Sequence, residues 1–375
     1  MKKNISLYIH IPFCIKKCNY CDFYSISDAN KELQKEYFSS LKRELLLYKK
    51  YDLLINTIYI GGGTPTLLEP KYITDLINFI EENFKLSENI EITIEANPET
   101  INEEKISVYK DCGINRISIG VQTLNDDELK VLGRVHSADK AISSIKLALK
   151  YFDNISIDLM IGIPKQTINS FLITVNKLLE FDIKHLSIYS LKIEPHTNFY
   201  FNIDSISQYI PNEDEEREIY WLANNTLKQY GFYQYEISNY AKKGFESKHN
   251  LVYWELGDYI GIGAAAHSYF LGYRYQNLND MSSYLNNIKK GEIMLNKEYI
   301  NKDESMKEYI ILGLRKIKGI DINDFNTRYN ADFLNIYNEK IKKLQRYNLI
   351  TLNGSNLRLT EKGIDLANVV WEEFI

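Results

Sequence analysis

Cysteine is scarce in this chain: four residues in 375, three of them packed between positions 14 and 21. That count and clustering exclude the disulfide framework of a small secreted protein, and point to a metal site in a reducing, cytoplasmic compartment. Long apolar runs are also missing. No stretch approaches the roughly 18 uninterrupted residues of a membrane span. The opening MKKNISLYIHIPFC has an apolar stretch broken by His10 and Pro12, so it is expected to be a strand rather than a secretion signal. Basic charge does not accumulate either. Net charge is −5 without a long basic tract, which removes nucleic acid as the default partner.

What is present is a rhythm. β-branched runs at 6–11, 57–62, 91–96, 116–121, 156–162 and 185–191 alternate with amphipathic segments near 30–50, 70–84, 102–111, 138–151 and 168–180. This alternation predicts parallel βα units of the α/β class. Polar residues at the ends of several strands favour a partial (β/α)6 barrel, since that face is where sites are built. The rhythm breaks over 201–290, where NEDEEREIY reads as a solvated helix face and KHNLVYWELGDYIGIGAAAHSYF is aromatic and Gly-rich. From about 300 the chain is helical again, and two short strands around Asn353-Gly354 suggest a small winged-helix-like module. The expected divisions are 1–200, 201–295 and 296–375.

Cys14, Cys18 and Cys21 form C-x3-C-x2-C directly after the first strand. Thiolates select zinc or an iron–sulfur cluster. Zinc would take His10 or His136 as its fourth ligand, although zinc sites usually pair their cysteines as two knuckles, and only one is here. A four-iron cluster on three cysteines leaves one iron open. Cys112 stands alone and reads as a small semi-buried apolar residue. GGGTPT at 61–66 follows a strand and precedes a helix, so its backbone can approach a ligand closely.

C-x3-C-x-Φ-C, with Tyr20 as the aromatic Φ, resembles the radical S-adenosylmethionine (SAM) superfamily. The phrase LYIHIPFC…CNYCDFYS is similar to the branch holding oxygen-independent coproporphyrinogen III oxidase and the heme chaperone HemW. The resemblance implies a 4Fe-4S cluster on Cys14, Cys18 and Cys21, with SAM on the open iron. Reduction there splits a carbon–sulfur bond of SAM. It implies SAM-site roles for Tyr8, Tyr20, Gly62, Gly63, Thr64, Glu95, Gln122, Arg134 and Asp158.

The oxidase carries a further cysteine two positions after the third; this chain has Phe23. The oxidase also has a longer segment ahead of its cysteines. His249-Asn250-Leu-Val-Tyr253-Trp254 matches the HNxxYW motif of the chaperone branch, where imidazole would ligate heme iron and the aromatic rings would stack on the porphyrin. His267 is a second candidate. The resemblance therefore implies a heme chaperone that serves acceptor hemoproteins, respiratory enzymes at the membrane among them. Peripheral membrane contact and a homodimer are compatible with it. The alternative is a radical enzyme acting on a tetrapyrrole, such as the oxidase itself.

Overall fold

The structure, a computed structural model, describes residues 3–27 and 29–375. Six parallel strands carry the first half: β1 (Lys3–Ile11), β2 (Leu53–Gly62), β3 (Lys85–Ala96), β4 (Arg116–Gln122), β5 (Ile155–Ile161) and β6 (His185–Ser190). They lie side by side in chain order, as the strand-helix rhythm predicts. On each strand the side under the helices is apolar, as Ile9, Ile60, Ile94, Ile119, Ile157 and Leu186 show, while the side toward the barrel interior carries polar residues such as His10, Tyr59, Glu95, Ser118, Asp158 and Ser187.

The intervening helices start where side chains supply the missing acceptors. Asn30 caps the helix Lys31–Leu47, Asn102 caps Glu103–Asp111, and Thr167 forms a capping box with Ser170 ahead of Ile168–Leu178. One helix was not foreseen in the sequence. Asp126–Leu132 is too short to show a clear period, yet Asn125 caps it by accepting from the N–H groups of Asp127 and Glu128.

The stretch 201–290 does more than interrupt the rhythm. It supplies strands at both ends of the sheet, extended on one side by a short strand just beyond it. β7 (Tyr233–Glu236) and β8 (Asn239–Ala241) form a hairpin added antiparallel to β6. β9 (Tyr259–Ile262) returns to pair parallel with β1, Ser6 opposite Tyr259. β10 (His267–Phe270), β11 (Tyr273–Gln276) and β12 (Glu298–Tyr299) then continue antiparallel outward. The acidic segment opens the helix Glu213–Gln229, whose first turn holds four carboxylates, favourably placed at the positive end of the helix dipole.

A second hydrophobic core gathers residues of 306–374, among them Phe325, Phe333, Leu357 and Val370. Its helices stand beside a small antiparallel sheet of β13 (Ile320–Asp321), β14 (Ile350–Asn353) and β15 (Asn356–Leu359), with the expected turn at Gly354. Arg328 fastens this unit to the middle of the chain by donating to the carbonyls of Glu255 (3.2 Å) and Leu256 (2.8 Å). Among the described residues no helix is long and apolar enough to cross a membrane.

Candidate functional site

β1 ends at Ile11, and the chain turns at Pro12 into the cysteine loop. The loop closes on itself: Cys14 N–H donates to Ile26 O (3.0 Å) and Ile26 N–H to Pro12 O (2.7 Å). Asn19, within the loop, pins it to the rest of the chain. Its side-chain amide donates to Val131 O (2.8 Å) and its backbone N–H to Leu132 O (3.0 Å). Its backbone carbonyl accepts from Phe199 N–H (2.8 Å) and its side-chain oxygen from Asn198 (2.9 Å). Nothing local in the sequence marks Asn19, because all its partners lie more than 100 positions away.

All three thiols open on a cavity of ≈ 470 Å³ above the C-terminal ends of β2 to β6. A chain of polar contacts braces them. Thr64 Oγ1 donates to Cys14 Sγ (3.7 Å), and Asn97 Nδ2 donates to Thr64 Oγ1 (2.9 Å). Arg134 donates to Asn97 Oδ1 (2.5 Å), to Gly120 O (2.8 Å) and to Cys18 Sγ (3.6 Å). Asn97 thus joins two of the sulfurs, a role that sequence reasoning missed although Asn97 lies two residues from Glu95. Burial pushes the Cys21 thiol up to about 11 and the Cys14 thiol upward, so metal uptake here releases protons.

The floor is built from strand ends. Glu95 accepts from Tyr59 OH (2.7 Å) and from Gly62 N–H (2.9 Å), and both oxygens of Asp158 accept from Ser118 Oγ (3.1 Å). Burial raises the pKa of both carboxyls. Gln122 and Tyr20 complete the wall with Gly62, Gly63 and Thr64. Two glycines are sterically required. Gly62 has φ +110° and a Cβ there would meet the His10 ring at 2.4 Å; one on Gly63 would meet Ile11 O at 2.8 Å and Phe13 O at 2.9 Å. Beneath the floor Arg116 is fully buried, its charge facing Glu91, Tyr59, Tyr235 and Asp158.

The donor set discriminates between the two metal chemistries. Both nitrogens of His10 are engaged, by Tyr24 O (2.8 Å) and Tyr8 OH (3.0 Å). His136 is held against Val121 O (3.3 Å) and Glu99 (3.4 Å). Neither lines the thiol cavity, and among the described residues no three His, Cys, Asp or Glu groups gather as around a single ion. Three thiols beside a roomy cavity fit a cluster with one metal left to a small ligand.

A second cavity, of ≈ 880 Å³, lies on the other side of the same loop; Lys17, Asp22 and Phe23 line both. Phe23 is 66% exposed between them. Tyr253, Trp254, Tyr259, Tyr269 and His267 form much of the second wall.

Three placements differ from the sequence reading. Tyr8, expected beside SAM, faces the second cavity instead; its ring stacks on Tyr59 (6.2 Å), which stands between it and the first. His249, expected as a heme ligand, is 1% exposed and reaches neither cavity. Its ring nitrogens are taken by Thr57 Oγ1 (2.7 Å) and Tyr253 OH (2.7 Å), and the ring stacks on Tyr59 (5.1 Å). Asn250 likewise lines neither cavity, its N–H being spent on the Ser247 cap (3.3 Å). In a short helix, Lys248–Trp254, only the Tyr253–Trp254 end lines the second cavity.

Comparison with known proteins agrees with this architecture. The radical SAM superfamily model matches residues 8–178, and the HemN C-terminal domain model matches 300–366. Coproporphyrinogen III oxidase (HemN) of Escherichia coli shares the fold, with TM-score 0.87 at 23% identity over 100% of this chain and 90% of that one. The heme chaperone HemW of Bacillus subtilis is 37% identical over 99% of both chains. HemW of Lactococcus lactis is 37% identical over 100% of this chain and 98% of its own. A radical S-adenosyl methionine domain-containing protein 1 of Bos taurus mitochondria is 30% identical over 96% of this chain and 84% of its own. Full-length likeness of this kind places the chain in the HemW family of the radical SAM superfamily.

Proposed function

We propose that this protein binds heme and passes it to acceptor hemoproteins, with a 4Fe-4S cluster on Cys14, Cys18 and Cys21 and SAM on the open iron. The observation that carries the reading is the pair of cavities sharing one loop: a thiol-lined one suited to the cluster and SAM, and a larger aromatic one beside it. A bound cluster supplies the electron chemistry of the superfamily. The chain's own residues do the positioning. Glu95 and Asp158 present buried carboxyls to the cationic and hydroxyl groups of SAM. Gly62, Gly63 and Thr64 let backbone approach it, while Tyr20, Gln122 and Arg134 close the sides.

The segment 201–295 builds the heme side, with Tyr253 and Trp254 offering ring faces to a porphyrin. Residues 1–200 carry the barrel and 296–375 the packed C-terminal unit. A cytoplasmic location with transient contact at the membrane surface follows from acceptors in a respiratory chain. Phe23 favours carriage over the oxidase reaction, because the position that holds a further thiol in the oxidase branch is here an exposed phenyl ring between the cavities.

The test uses full-length protein reconstituted anaerobically with iron and sulfide, then supplied with SAM. Addition of heme should produce a stable Soret band, and coproporphyrinogen III should remain unconverted. Decarboxylated product at a useful rate would overturn the chaperone reading in favour of the oxidase.

A further inference from the structure

We infer that His267, rather than His249, supplies the imidazole that ligates heme iron in the ≈ 880 Å³ cavity, and that His249 is a positioning residue that holds Tyr253 in its wall. The inference rests on the proposed heme-binding function and assigns its site.

It follows from accounting for every histidine. The chain has six. An iron ligand needs a ring nitrogen with a free lone pair facing open space. His10 has both nitrogens hydrogen-bonded, to Tyr8 and Tyr24. His136 is buried against Glu99 and Val121. His185 is buried between Ser156 Oγ (2.7 Å) and Tyr235 OH (2.8 Å). His249 is buried between Thr57 and Tyr253. Only His196 and His267 are exposed, and both line the second cavity.

Of these two, His267 is the better placed. It opens β10 and is held in register opposite Gln276 of β11, so its backbone is fixed by a sheet. His196 sits on the connection after β6, at φ +70°. The surroundings of His267 suit a flat, largely apolar ligand that carries a carboxylate. Tyr253, Tyr259 and Tyr269 offer ring surface, and of the charged groups in the wall Lys17 and Arg274 are cationic and Asp22 anionic. Arg274 is taken by a two-pronged pair with Glu308 (2.8 and 2.8 Å), so Lys17 is the cation left for a carboxylate. The volume falls within the range of about 300–1,000 Å³ usual for organic cofactors. Partial burial and the nearby Arg274 lower the His267 pKa, which keeps the imidazole neutral and able to coordinate.

His249 then has a different task. Its ring receives or gives hydrogen bonds on both sides, linking Thr57 in β2 to the Tyr253 hydroxyl, and this fixes the orientation of the tyrosine in the cavity wall.

The experiment titrates hemin into full-length, cluster-loaded protein and its variants, reading the absorbance and electron paramagnetic resonance spectra for imidazole ligation. Melting temperature is recorded in parallel. His267→Ala should lose the imidazole signature and about tenfold or more in affinity, with its melting temperature unchanged. His267→Gly should regain the signature when free imidazole is added, which a merely structural residue would not permit. His249→Gln should keep the signature while melting earlier. A His267→Ala spectrum identical to wild type overturns the assignment. So does loss of the signature in His249→Gln at an unchanged melting temperature, or its loss in His196→Ala alone. A wild-type chain that takes up no heme at all would instead overturn the proposed function, and the assignment with it.

Discussion

The two cavities share a loop but are built by different means. The thiol-lined one sits on the ends of consecutive parallel strands, and nearly every polar group in its wall has a fixed partner: Glu95 with Tyr59 and Gly62, Asp158 with Ser118, Asn97 with Thr64 and Arg134. The aromatic one is assembled from segments far apart in the chain, and its imidazoles at 196 and 267 are exposed. A site that must hold SAM in one pose gains from locked surroundings. A site that must release its ligand to another protein gains from open groups. The contrast between the cavities is therefore between preorganisation and availability.

Replacing Arg116 by Met should give the largest effect, because it strands Glu91 and Asp158 in the interior without their buried cation. Breaking such a buried arrangement costs about 3–5 kcal/mol. Chemical denaturation would measure it, and a loss under about 1 kcal/mol would show that the floor of the first cavity is less tightly braced than described.

His249→Gln sharpens the comparison through pH. Burial, and then the charge of Arg116, depress the folded His249 pKa to about 3 from an ordinary value near 6.5. The folded state therefore resists protonation there, while the unfolded chain accepts it. Stability from this group is present above pH 6.5 and is lost as pH falls toward 3. The wild-type acid limb should be steeper than that of His249→Gln, by up to about 3–5 kcal/mol across the window. Parallel limbs would mean that the ring is not sequestered. His185, with its pKa driven in the same direction by burial and Arg116, leaves part of the limb in place in both proteins.

Gly63→Ala targets the first cavity alone. Its Cβ would meet backbone carbonyls, which cannot step aside as a flexible side chain can. A loss of about 1–3 kcal/mol is expected, together with weaker SAM binding by calorimetry and unchanged heme uptake. Equal loss at both cavities would show them to be one mechanical unit. Phe23→Ala should barely alter stability, within about 0.5 kcal/mol, because the ring is exposed. Heme affinity should nevertheless fall several-fold in titration, and no change would remove Phe23 from the second wall.

The extent to which the site was legible in sequence follows from where each residue finds its partners. Cys14, Cys18 and Cys21 stand within one loop, and the glycines 61–63 end a strand, so spacing and local context reveal them. Glu95, Gln122 and Asp158 end or interrupt regular strands, which again is local information. Asn19, Asn97, Arg116 and Thr57 could not be read this way, since their roles come from partners on other strands and loops. His249 misled for the same reason in reverse. A histidine beside two aromatic residues looks like a ligand until Thr57, 192 positions away, takes one nitrogen and Tyr253 the other.

The amino-acid sequence by itself determined the parallel strand-helix repeat, the cysteine loop after β1 and the glycine-lined end of β2, because periodicity and spacing act over short range. Only the tertiary structure decided that β9 returns beside β1, that one loop walls two cavities, and which histidines remain free. Those outcomes depend on which distant groups satisfy each buried hydrogen-bonding atom. That competition is settled by packing.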